Sequence, residues 1–92
     1  MAFSCESKGW PVPTIEWRVI REDSEINISL EDKRISIQSR EGPNNYEITS
    51  WLQIVDTTRD DSGTYICVSS NSQGEVKHYA YLTIGNFHKK FI

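Results

Sequence analysis

Asp61-Ser62-Gly63-Thr64-Tyr65-Ile66-Cys67 is the stretch on which the reading of this chain turns. A turn-forming Asp-Ser-Gly gives way to alternation, with Tyr65 and Cys67 on one side and Thr64 and Ile66 on the other. Working outward, the one other cysteine is Cys5, and Trp17 stands on the next strand-like run. A two-sheet antiparallel sandwich needs these parts at its centre: a bridge between layers, an indole over it, and a tyrosine at the corner before a late strand. The expected fold class is all-β. Trp17, Leu52 and Tyr65 are expected core residues.

A chain of 92 residues is one small domain with a modest core, which a covalent staple would help. The formal charge is −3, with both signs interspersed. Neither a basic stripe nor an RNP-like aromatic motif is present, so nucleic acid is not an expected partner. No apolar run approaches the length of a membrane span, and membrane insertion is not expected. Met1-Ala2 leads straight into strand-like sequence, without the charged and apolar regions of a signal peptide; a targeting signal is expected to lie outside this chain.

The sequence holds two cysteines. A metal site would need two further close ligands, and His78 and His88 sit near neither cysteine in sequence. A Cys5–Cys67 disulfide is therefore favoured over a metal centre, and no cofactor is expected. Closing a loop of roughly sixty residues stabilises a fold by about 4 kcal/mol in the chain-entropy treatment. Such a bridge implies an oxidising compartment.

Taken in order, Phe3 and Cys5 alternate with polar neighbours and read as a strand. Gly9-Trp10-Pro11-Val12-Pro13 is a loop, because two prolines remove ladder donors. Thr14 to Ile20 alternates again, with Ile15, Trp17 and Val19 inward. Arg21 to Glu25 reads as a turn, and Ile26 to Leu30 as a short edge strand. Ile35 and Ile37 mark the next strand, and Glu41-Gly42-Pro43-Asn44-Asn45 a hairpin connection. Tyr46 to Val55 is the longest alternating run, with Ile48, Leu52 and Ile54 inward and Trp51 outward. Asn71-Ser72-Gln73-Gly74 is a tight hairpin. Val76 to Ile84 is the last strand. The sandwich is expected to occupy residues 1–85, and residues 86–92 a tail of mixed aromatic and basic character.

Cys5, Trp17, Leu52, Asp61, Gly63, Tyr65 and Cys67, in this order, resemble the signature of the immunoglobulin fold over almost the whole chain. Gly9 with Pro11 and Pro13, and Asn71 with Gly74, resemble its I-set subclass. The resemblance implies a tyrosine-corner bond from the Tyr65 hydroxyl and an ion pair between Arg34 and Asp61. A narrower likeness lies in Ile37-Gln38-Ser39-Arg40-Glu41-Gly42-Pro43 and in Tyr46 to Ile54. These segments are similar to the C-terminal immunoglobulin domains of secreted insulin-like-growth-factor-binding-protein-related proteins and their Kazal–immunoglobulin relatives. Immunoglobulin domains spend a strand or two before the first cysteine strand, whereas four residues stand there here. The first strand is thus expected to be truncated, or its edge to be covered by something else.

No Gly-x-Ser-x-Gly elbow or ordered Ser/His/Asp set accompanies the serines, so an enzyme is not expected. Asn27-Ile28-Ser29 is a glycosylation sequon in a region read as a surface edge. The sharper expectation concerns the outer face of the sheet built from the Trp17, Cys67 and final strands. Alternation turns Arg18, Ile20, Ile66, Val68, Tyr79 and Tyr81 outward, an apolar and aromatic patch of the composition found at protein contacts. Trp51, on the opposite outer face, is a second contact candidate, or else packs against the Trp10 loop. The expected function is extracellular protein binding as a module of a secreted growth-factor-binding-protein-related factor. The alternatives are a homophilic or heterophilic adhesion domain, with a weak homodimer, and a spacer domain of a giant muscle-type protein.

Overall fold

Alternating sequence becomes seven strands among the residues that the computed structural model describes, 1–84. They are β1 (Ala2–Lys8), β2 (Thr14–Arg21), β3 (Ser24–Asn27), β4 (Ile35–Glu41), β5 (Glu47–Ile54), β6 (Gly63–Asn71) and β7 (Gly74–Leu82). A single 3-10 turn, Arg59–Asp61, precedes β6. The expected tail, 86–92, and the boundary at residue 85 lie outside the described residues.

The strands form two antiparallel sheets, one ordered β1-β5-β4 and the other β3-β2-β6-β7. Cys5 on β1 and Cys67 on β6 join them in a disulfide with a Cα–Cα distance of 6.5 Å. Around the bridge pack Trp17, Val19, Leu52, Ile54 and Tyr65, with Phe3, Ile15, Ile35, Ile37 and Leu82 at the margin. The architecture is the all-β sandwich that the alternation implies. The strand carrying Cys5 is an edge of its sheet, and no strand lies on its far side among the described residues.

Trp17 pairs with Cys67 in the β2–β6 ladder, and its ring crosses to the other sheet. There its Nε1–H donates to the Ser50 Oγ at 2.9 Å. Ser50 is fully buried and has three partners, since its hydroxyl donates to the Gln38 carbonyl at 3.0 Å and accepts from Ser39 Oγ at 3.0 Å. Alternation already places Ser50 inward, between Ile48 and Leu52. Its polarity is retained because a buried indole N–H needs an acceptor.

The edge near β3 differs from expectation. The strand spans Ser24–Asn27 rather than Ile26 to Leu30, and it is joined to β2 by the two residues Glu22 and Asp23. Both lie in the left-handed region, at φ 50° and 64°. This is the geometry of a two-residue hairpin, normally signalled by Asn-Gly. The turn read over Arg21 to Glu25 is present but tighter, because two acidic residues in place of Asn-Gly gave no sign of its length, and the apparent start of the strand shifted.

Candidate protein-contact surface

At the lower end of the sandwich, Arg34 bridges two carboxylates. Its Nη1–H donates to Asp61 Oδ2 at 2.9 Å and its Nη2–H to Asp61 Oδ1 at 3.1 Å. Asp32 accepts from Arg34 Nη2 at 3.1 Å. The Thr58 N–H also donates to Asp61 Oδ2, at 2.8 Å, and the Tyr65 hydroxyl donates to the Asp61 carbonyl at 2.6 Å. The Arg34 hydrogen bonds hold the Asp61 carboxyl below its ordinary range, although burial pushes the other way. Burial raises the Tyr65 hydroxyl. All this binds the corner to the 3-10 turn and positions the start of β6.

The outer face of the four-stranded sheet is set out by the ladder registers. One row reads Asn27, Arg18, Ile66 and Tyr79 from β3 to β7. The next reads Glu25, Ile20, Thr64 and Tyr81, and on the other side lie Glu16, Val68 and Lys77. Alternation thus puts the expected residues on one face. It does not leave them all open: Ile66 is 0% exposed and Val68 1%, so neither can be a contact residue. This corrects the expectation from sequence.

The reason is a charged roof. Arg18 donates to Glu16 Oε2 at 3.0 Å and to Glu25 Oε2 at 3.1 Å. The Lys77 ammonium, on β7, meets Glu25, on β3, at 3.0 Å and 3.1 Å. Those strands are three spacings apart, about 14 Å, so the Lys77–Glu25 bridge passes over β2 and β6. Arg18 stands beside Ile66 and Lys77 beside Val68 in the ladders, and stems of this kind shield apolar neighbours while their charged ends stay wet. Hydrogen bonding to Lys77 lowers the Glu25 carboxyl, and the bonds to Glu16 and Glu25 raise the Arg18 guanidinium. Arg18 and Glu25 are therefore both ionised at neutral pH.

What remains open lies along β7. Tyr79 is 52% exposed and Tyr81 75%, with half-buried Ile20 behind them. On the other sheet Trp51 is 38% exposed and borders a shallow hollow with Glu6, Lys8, Arg40 and Thr49. Trp10 borders a separate hollow of about 430 Å³ with Lys8, Asn71, Gln73 and Val76. Asn27 is exposed at the end of β3. Among the described residues no cluster of three or more His, Cys, Asp or Glu side chains is placed to hold a metal ion. No described helix is long and apolar enough to cross a membrane.

These features can be set beside known proteins. The chain is 42% identical over 88 residues to insulin-like growth factor-binding protein-related protein 1 of Cupiennius salei, which covers 95% of this chain and 34% of that protein. It is 40% identical over 82 residues to human Kazal-type serine protease inhibitor domain-containing protein 1, covering 89% of this chain and 26% of that one. The chain thus spans about a third or less of these relatives. Among solved structures, Dpr2 Ig1-Ig2 in complex with DIP-Theta Ig1-Ig3 superposes with a TM-score of 0.70 at 26% identity, covering 88% of this chain and 25% of that chain. The immunoglobulin I-set profile matches residues 1–84. With its cross-sheet disulfide, buried tryptophan and tyrosine corner, the chain belongs to the immunoglobulin I-set family.

Proposed function

We propose that this chain is a non-enzymatic, extracellular protein-binding module of a secreted factor related to growth-factor-binding proteins. The observation that carries this reading is the likeness along 95% of the chain to a protein named for growth-factor-binding relatives. The disulfide supports an oxidising compartment, and it argues against the spacer of a cytosolic muscle array. Tyr79 and Tyr81 are the contact residues, because they combine large area with few rotatable bonds at an open sheet margin. Trp51 is a second contact point.

Arrayed extracellular proteins, probed with the chain made in a secretory host, test the reading. A saturable partner is expected, with affinity falling roughly tenfold or more, about 1.4 kcal/mol, in Tyr79→Ser/Tyr81→Ser. No partner, or a partner indifferent to both tyrosines, would sink it. Two reactive thiols in protein from its native tissue would favour the spacer instead.

The likeness to a chain of the Dpr2–DIP-Theta structure, a complex of immunoglobulin domains, favours adhesion as a second reading. Sedimentation separates the two. A dimer that grows with concentration and is lost in the tyrosine variant supports adhesion, whereas a monomer throughout supports the heterotypic binder.

A further inference from the structure

We propose that Asn27 carries an N-linked glycan that overhangs the charged roof and confines protein contacts to the β7 side of the sheet. The inference rests on the extracellular reading given above. Asn27-Ile28-Ser29 is an acceptor sequence without proline at its middle position. Its three residues are placed differently. Ile28 packs against the core, and its N–H donates to the Trp17 carbonyl at 3.1 Å, which pins the backbone. Asn27 and Ser29 on either side are exposed. Asn27 is thus exposed at the rim of an open hollow that it shares with Ile26, Ser29, Arg34 and Asp61, where a bulky substituent has room.

Register says where the sugar would go. Asn27 is opposite Arg18, on the face that carries Glu25 and Lys77, and Tyr79 ends the same row. Three strand spacings, about 14 Å, separate Asn27 from Tyr79. A glycan rising from Asn27 covers the Arg18–Glu25–Lys77 network, whose charged groups suit sugar hydroxyls, and leaves Tyr79 and Tyr81 open. In the transfer, Asn27 Nδ2 attacks the anomeric carbon of a lipid-pyrophosphate-linked oligosaccharide. The new C–N bond replaces the C–O bond, the lipid pyrophosphate leaves with the electron pair, and the amide nitrogen gives up one proton.

The test uses the chain made in a secretory host and treated with peptide-N-glycosidase. A mass loss is expected, with aspartate left at position 27. Asn27→Gln and Ser29→Ala should emerge at the bare mass, and Ser29→Thr should keep the sugar. A chain secreted with its disulfide closed and Asn27 bare overturns the glycan and leaves the extracellular reading standing. Free thiols together with bare Asn27 in protein from native tissue overturn both. For the overhang, acylation of Lys77 should quicken several-fold on deglycosylation while nitration of Tyr79 and Tyr81 does not change. Equal Lys77 rates would overturn it.

Discussion

Trp17 holds the sandwich by area and through a single polar atom. Its ring fills the space beside the bridge, and its N–H ends on Ser50 across the core. Trp17→Ala should cost about 3–5 kcal/mol in urea unfolding. Trp17→Phe keeps much of the area and loses the hydrogen bond, so about 1–2 kcal/mol is expected from that loss with some packing defect. Asp61 contributes to the acid sensitivity of the fold. Its folded carboxyl titrates below the unfolded value of about 3.9. Its stabilisation is therefore complete above that range and fades as pH falls through the folded value. Unfolding midpoints taken from about pH 6 down to pH 3 should fall steeply in the wild type and less so in Asp61→Asn. A residual slope should survive in the variant, because Asp32 is lowered by Arg34 as well. Trp17, Tyr65 and the two cysteines were legible from type and order alone. Ser50 and Asp32 were not singled out, because a serine or aspartate acquires its role only from the partner that folding brings to it.

The β-strands were legible wherever one face is buried, since alternation then records the face. β3 was legible only in part, because all four of its residues are exposed and no inward side recorded its start. Ile66 and Val68 teach a different lesson. Alternation named their face, but their coverage depends on side chains from β3 and β7 meeting over them, and that requires the register of four strands at once. Turns permit a sharper experiment. Gly63 and Gly74 share nearly the same backbone torsion, φ 153° and 152°. A Cβ on Gly63 would come within 3.0 Å of Arg21 Nη1, whereas nothing lies within 4 Å of one on Gly74. Arg21 Nη1–H donates to the Ser62 carbonyl at 3.0 Å, a bond the added methyl would disturb. Gly63→Ala should thus be destabilised more than Gly74→Ala by about 1 kcal/mol, read as the difference in thermal unfolding. Equal effects would mean that torsion alone sets the cost.

For the molecule as a whole, the staple is a large share of a small total. A domain of this size is stable by roughly 5–14 kcal/mol, and the 62-residue separation of the cysteines corresponds to about 4 kcal/mol of that. Cys5→Ala/Cys67→Ala should lower the melting temperature by roughly 15–30 °C, measured by calorimetry against the oxidised wild type. A shift of a few degrees would mean that the reduced chain keeps native order between the sheets. The family was legible from a handful of residues because the sandwich needs specific chemistry at its centre. Its partner was not, because the face that meets a partner is assembled from separate strands and bears no spacing signature.

The same covalent link sets how the molecule answers tension. Pulled from its two ends, the chain can release only the residues before Cys5 and those after Cys67, while the long segment between them stays tied off. Even fully unravelled, such a module releases only about a third of its contour, and the rest stays knotted behind the sulfurs.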